Sequence, residues 1–295
     1  MPEDKILYTG AEIDFENKED KEVDNLKKKL KSAISRNTNS KFLGMRPGLY
    51  FNYKASREKP GLINKFLNKQ FGEDPYYFES IDVEAAEKIL NNRLENNGYF
   101  GSVVNSSIQR DSSDQSASVN YSIALPEPYK LESYILNKTS GDSLQVYKEI
   151  KSSLTETEIE ENSLFNFNQL KSERERIDQY LKQRGYYNFN SDFLIFEADT
   201  NAYEDRRFNL YLRLKKNIPE KSLVPYVVDE VNIHPNRTLS NQQKSKDTLN
   251  YEGYNFIQDS LFFKPKHLKP YVLINPGEDY NPKFSKYTSR RLSSI

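Results

Sequence analysis

Residue types that usually carry chemistry are thin in this chain. It has two histidines, His234 and His267, and no cysteine. His234 precedes Pro235 at the end of a strand-like run, and His267 lies in a Lys-Pro-rich stretch. Neither has a second histidine, cysteine or carboxylate at metal-ligand spacing, so both read as exposed loop residues and no metal site is expected. Without cysteine there are no disulfides, thiolate ligands or thiol nucleophile. Neighbouring carboxylates such as Glu160-Glu161 and Glu278-Asp279 are what 43 acidic residues produce by chance, not a glycosidase dyad. The run Asp111 to Asp114 lacks the alternating donors and closing Glu of a calcium loop, and reads as a hairpin turn. No Gly-x-Ser-x-Gly elbow and no Gly-rich phosphate cradle occurs. The expectation is therefore a non-enzyme with no catalytic residue and no cofactor.

Charge excludes a further class. Among 295 residues, Lys plus Arg equals Asp plus Glu at 43 each, so no basic excess is available to neutralise phosphates and no nucleic-acid partner is expected. The local run Lys27-Lys28-Lys29 reads as a solvated helix face, with acidic residues just before it. Charged residues make up 29% and the mean hydropathy is −0.85, which fits several small cores better than one large core. No apolar run reaches the roughly 18 residues of a membrane-spanning helix. The opening Met1-Pro2-Glu3-Asp4 lacks the charged and apolar regions of a signal peptide.

Hydrophobic spacing supplies the elements. Ile6 to Phe15 reads as a strand, followed by a helix from about Glu19 to Arg36 with Val23, Leu26, Leu30, Ala33 and Ile34 on one face. From Asn37 to about Phe78, glycines and prolines cut the chain into loops around a short helix at Leu62 to Phe71. The aromatics Phe42, Tyr50, Phe51 and Tyr53 there are expected to pack against the domain. A helix from about Ile81 to Asn97 and strands at about 100–110 and 117–125 complete this unit. The order then restarts. Tyr129 to Leu136 is a strand and Ser143 to Leu154 a helix using Leu144, Tyr147, Ile150 and Leu154. A second helix, capped by Asn166, places Phe167, Leu170, Ile177 and Leu181 inward, and two strands end near Lys216. In the last strand Phe208, Leu210, Leu212 and Leu214 alternate with Asn209, Tyr211 and Arg213. A third start appears at Val224 to Pro235, followed by a polar loop. A helix then opens at Pro282 with Phe284, Thr288, Leu292 and Ile295 at helical spacing.

The first two units are copies. Gly98 and Gly185 lie 87 positions apart, and at that offset Val83 matches Leu170, Leu90 matches Ile177, Leu94 matches Leu181 and Tyr99 matches Tyr186. Each glycine is placed to stop its helix in a left-handed conformation. Tyr99 and Tyr186 are expected to pack on their own sheets, with docking between successive units as the rival reading.

A strand-helix-helix-strand-strand unit with Leu-x-x-x-Gly-Tyr-aromatic at the end of its second helix resembles the polypeptide-transport-associated (POTRA) domain. The stretch NTNSKFLGMRPGLYFNY with GLINKFLNKQFGEDP resembles the first-domain insertion of TamA/BamA-like proteins made as lipoproteins. LKQRGYYNFNSDFLIFEADT resembles their second domain, and YEGYNFIQDSLFFKPKHLKPYVLINPGEDY the lead into their third. The resemblance implies an α+β fold of tandem POTRA domains, each a three-stranded sheet with two helices on one face. The domains would be 1–126 with an insertion at about 37–78, 127–218, and a partial third at 219–295 that stops before its closing strands. Two family features lie outside these residues: the lipidated cysteine and the membrane barrel. The chain is accordingly expected to be the front of a longer protein.

What the resemblance implies for function is a periplasmic arm of an outer-membrane barrel protein that assembles or inserts other barrels. Its partners would be unfolded outer-membrane proteins, periplasmic or lipoprotein accessory subunits, and its own C-terminal barrel. An open sheet edge accepts an extended chain through backbone hydrogen bonds with little demand on sequence. By resemblance the edge is the strand after each Gly-Tyr, which selects Val103, Val104, Ser106 and Ile108, then Phe193, Leu194, Ile195 and Phe196. Against this stands the reading that these edges are merely exposed or covered by neighbouring units. The groove between the two helices is a second candidate. The alternatives are an arm for a dedicated secretion barrel and a free-standing adhesion or glycan-binding module.

Overall fold

A computed structural model describes residues 5–16, 21–35, 38–137, 145–235, 247–258 and 263–294. The chain divides into two compact units, residues 1–129 with 164–166, and residues 130–163 with 167–295.

The first unit runs β1 (Leu7–Phe15), α1 (Lys21–Ile34), α2 (Pro47–Ala55), α3 (Leu62–Phe71), α4 (Val83–Glu95), β2 (Val103–Asp111) and β3 (Ser116–Ala124). The sheet order is β1-β3-β2. β1 pairs parallel with β3, as the helical crossover between them permits, while β2 and β3 form an antiparallel hairpin. Central β3 alternates: Ala117, Val119, Tyr121 and Ile123 are buried, and Ser116, Ser118, Asn120 and Ser122 face away. Val119, Tyr121 and Ile123 of this row pack on Leu26 and Leu30 of α1 and Leu90 and Leu94 of α4, so both helices cover one face.

The second unit opens with β4 (Lys130–Leu136), α5 (Gln145–Ser153), α6 (Phe167–Lys182), β5 (Leu194–Asp199) and β6 (Arg207–Leu214). Its sheet order, β4-β6-β5, and strand directions repeat those of the first. Val146, Ile150, Ile177 and Leu181 pack under Leu212 and Leu214. The two copies agree at the matched positions, since Leu90, Leu94, Ile177 and Leu181 are all fully buried. The fold is therefore α+β, built of three-stranded mixed sheets with helices on one face.

Several expectations are corrected. The run 47–55 is a helix rather than a loop, because Pro47 occupies its first turn, where a missing N–H costs nothing and the fixed φ helps. Phe42, Tyr50 and Tyr53 are exposed rather than packed against the domain. Phe167 is exposed, being the first residue of its helix. Phe193 lies in a 3-10 turn before β5 and packs edge-on to Phe189 at 5.6 Å. The helix start at Glu19 and the residues Arg36, Asn37, Ser143, Leu144 and Ile295 lie outside the described residues.

The third sheet differs most from expectation. Only Asn232–Ile233 (β7) of the strand-like run 224–235 joins it, and residues expected as polar loop form a hairpin of β8 (Thr248–Tyr251) and β9 (Tyr254–Ile257). Glu252 and Gly253 between them both have positive φ, 50° and 82°, as a two-residue hairpin turn requires. The order β7-β9-β8, with β7 parallel to β9, reproduces the other sheets. His267 lies in the short helix α7 (Pro265–Leu268), not a loop. Helix α8 (Pro282–Leu292) starts at Pro282 and buries Thr288, whose hydroxyl accepts from the Leu273 N–H at 2.9 Å, while Phe284 and Leu292 are exposed.

Candidate functional site: open sheet edges and a repeated clasp

Each sheet has two edges, and the chain treats them differently. The outer rim of β1 is occupied at its start, where Tyr8 N–H donates to Tyr76 O and Phe78 N–H donates to Ile6 O, both at 2.8 Å. The start of β4 is covered likewise, by Leu131 N–H to Ser163 O at 2.9 Å and Asn162 N–H to Leu131 O at 2.7 Å. Among the described residues no strand pairs with the outer side of β2 or β5. These are the two strands singled out from the sequence. On β2, Val103 and Ile108 are exposed, and Val104 leans on the core. Ser106 is half-buried. On β5, Leu194 is fully buried, and Phe196 packs against Tyr134 at 5.9 Å. Ile195 is half-buried. So the backbone rims are open, while Leu194 and Phe193 serve the core.

Next to each rim sits a second feature that occurs twice. Gly98 and Gly185 are left-handed, with φ of 89° and 88°. After α4, Tyr99 N–H reaches back to Leu94 O and Gly98 N–H to Glu95 O, both at 3.0 Å, closing the helix. Both glycines also lie against a passing backbone. A Cβ on Gly98 would come within 3.2 Å of Phe165 O, and one on Gly185 within 2.9 Å of Tyr226 O. The same bond sequence follows each. Tyr129 N–H donates to Gly98 O at 3.0 Å, and Phe165 N–H to Tyr129 O at 2.9 Å. In the second unit, Tyr226 N–H donates to Gly185 O at 2.7 Å and Tyr280 N–H to Tyr226 O at 2.9 Å. Rings close over both ladders: Phe100 meets Tyr129 and Phe165 edge-on at 5.7 and 5.1 Å, and Tyr187 meets Tyr226 and Tyr280 at 6.5 and 5.0 Å.

The aromatic two places after each glycine thus clasps later chain, while Tyr99 and Tyr186 are buried in their own cores. Burial first, then the charges of Glu149 and Asp279, pushes the Tyr186 hydroxyl up to about 12.

Residues 8–124 match the POTRA family, described as surface antigen variable number repeat. The match covers 117 of the 295 residues. None of the curated proteins matches the chain. Among solved structures, POTRA3-5 of Haemophilus influenzae BamA is similar at 12% identity and TM-score 0.41, over 100% of this chain and 88% of that one. POTRA1-3 of Anabaena Omp85 is similar at 12% identity and TM-score 0.31, over 98% and 85%. CdiB from Escherichia coli is similar at 8% identity and TM-score 0.23, over 73% of this chain and 28% of that one.

The first unit carries a cleft lined mostly by polar side chains. This open cleft of about 730 Å³ borders the hairpin tip, where Asp111 accepts from the Ser113 hydroxyl and N–H at 2.5 and 2.9 Å. Those bonds hold the Asp111 carboxyl below the usual range, as expected of a turn residue. Among the described residues no group of three or more His, Asp or Glu could hold a metal ion. No helix among them is long and apolar enough to cross a membrane. Among its described residues the second unit has one buried carboxylate, Glu173, gripped by Arg176 through two bonds of 2.7 and 2.8 Å and approached by the Tyr134 hydroxyl at 3.4 Å. Burial, followed by the Glu173 charge, pushes the Tyr134 hydroxyl far up.

The sequence shows Phe100 and Tyr187 as the aromatic of the Gly-Tyr motif but not their clasping role or their partners. The repeat itself carried the signal, since Phe100 and Tyr187 also match at the 87-residue offset.

Proposed function

We propose that this chain is the periplasmic arm of an outer-membrane barrel protein that assembles or inserts other barrels. It holds unfolded clients or accessory subunits by adding them as strands to β2 and β5. The reading rests on one observation above all: in both copies the strand after Gly-Tyr is the sheet edge that no other strand among the described residues pairs with, while the opposite edge starts covered. Strand addition takes its affinity from backbone bonds, which suits clients that share a β pattern and little sequence. The POTRA match over 8–124 supports the setting. A barrel following this arm, and a lipid anchor preceding it, belong to the same proposal.

Isotope-edited NMR titration of the chain with an unfolded barrel segment tests this. Amide shifts are expected to concentrate in 103–111 and 194–199. Shifts confined to other surfaces, such as the groove between α1 and α4, would overturn strand addition.

A further inference from the structure

The insertion of the first unit is built in an unusual sense. Helices α2 and α3 pack on each other, with Phe51 and Phe71 in ring contact at 6.3 Å. Their root is polar and tied down: Asn39 donates to Asp74 O at 2.8 Å and Asn52 to the Asp74 carboxylate at 2.8 Å. Yet α3 buries none of its residues fully. Half-buried Asn64, Leu67 and Asn68 face inward, while Leu62, Ile63 and Phe66 are 86, 75 and 62% exposed. An amphipathic helix normally turns its apolar stripe to the core; this one turns it out. In the loop that leads into α2, Phe42, Leu43 and Met45 are 66, 83 and 66% exposed.

Charge says what covers this surface. The whole chain is neutral, but between Lys41 and Lys69 it carries seven basic side chains against the single carboxylate of Glu58. Lys65 and Lys69 flank the exposed stripe on α3, one turn apart. Cations also lie on tyrosine faces, with Lys54 5.3 Å from the Tyr50 ring and Arg57 5.1 Å from the Tyr53 ring. Outward aliphatic and aromatic groups, interfacial tyrosines and a basic margin are the composition of a helix that lies in a membrane interface. A second copy of this surface would be repelled by the same excess of positive charge.

We propose that the α2–α3 insertion docks on an anionic lipid surface, with Leu62, Ile63 and Phe66 in the acyl boundary and Lys65 and Lys69 at the headgroups. This contact is separate from strand addition at β2 and β5, and the two fail independently. The test is co-sedimentation of the full chain with phosphatidylcholine vesicles, with and without phosphatidylglycerol. Binding is expected only to the anionic vesicles. It should fall at least tenfold when salt rises from about 0.1 M to about 1 M, which shortens the screening length from about 10 Å to about 3 Å. Leu62→Ser with Phe66→Ser is expected to lose binding at least tenfold with unchanged circular dichroism. Lys65→Glu with Lys69→Glu, which alters only exposed side-chain ends, should do the same even if the first pair perturbs folding. Lys28→Glu with Lys29→Glu on α1 should bind as the parent does. Absent or equal binding to neutral and anionic vesicles would overturn the proposal. So would parent-like binding by the α3 variants, or a dimer in sedimentation velocity that Leu62→Ser with Phe66→Ser dissolves.

Discussion

The Gly185 carbonyl accepts the Tyr226 N–H at 2.7 Å, while the Tyr226 carbonyl lies 2.9 Å from where a Cβ on residue 185 would stand. One residue therefore ends a helix, takes a left-handed turn and lets a second backbone touch it. Only glycine meets all three demands.

Gly185→Ala should lower stability by more than the ~1 kcal/mol that a left-handed alanine costs, because backbone atoms rather than flexible side-chain ends would have to move. Gly253→Ala is the control, since Gly253 has the same sign of φ, 82°, with open space around it. Denaturant unfolding is expected to rank Gly185→Ala as more damaging than Gly98→Ala, whose closest approach is the looser 3.2 Å, with Gly253→Ala the mildest. Equal costs at all three positions would remove the crowding argument.

Tyr187 is the exposed lid of the same clasp. Tyr187→Ala removes two edge-on ring contacts, together about 1–3 kcal/mol at about 0.5–1.5 kcal/mol each. The effect should be local. Amide hydrogen exchange is expected to speed up at Tyr226 and Tyr280 and to stay unchanged at Leu212 in the core.

How much of this was legible in sequence follows from range. Leu90, Leu94, Ile177 and Leu181 were readable because the signal is a local period kept twice, and the alternation through Phe208 to Leu214 is equally local. The clasp is not local. Phe100 and Tyr129 are 29 residues apart, but Tyr187 and Tyr226 are 39, so no fixed offset reveals the partner. The edge status of β2 and β5 was legible only through the family resemblance. In the insertion, reading aromatics as core assumed there was a core to join, and the seven basic residues beside them argue otherwise. Glu252-Gly253 flanked by alternating apolar residues was a hairpin signal present in the sequence and passed over.

Glu173→Ala in α6 should cost about 2–3 kcal/mol. Removing one partner of a buried pair strands the other, and the cost falls short of that for a fully buried pair because Arg176 keeps 24% exposure. Tyr134→Phe removes only a 3.4 Å bond and should cost about 1 kcal/mol or less. Thermal unfolding of the two variants separates the contributions.

Acid should loosen the root of the insertion. Bonds from Ser40 above all, helped by the Asn39 bond and the Arg46 charge, hold the Glu73 carboxyl below its ordinary 4.5 against the opposing effect of burial. A depressed folded value means the stabilisation is complete above 4.5 and is lost as pH falls through the lower folded value. Exchange at the Tyr76 amide, which donates to Asn39 Oδ1 at 3.1 Å, should rise in that acid window. Glu73→Gln should flatten the response.

A proline scan of β2 distinguishes an open rim from a merely exposed strand. In an antiparallel edge, alternate residues direct N–H and C=O inward to the ladder and outward to solvent. Asn105 and Ser106 are consecutive, so one of them faces β3 and the other faces out. Proline at the inward position removes a ladder bond and should destabilise the sheet, whereas proline at the outward position removes only a free donor. One of Asn105→Pro and Ser106→Pro is therefore expected to unfold near the parent temperature and yet lose affinity for an unfolded barrel segment. If the well-folded variant binds as the parent does, β2 is exposed but is not the surface that accepts the guest strand.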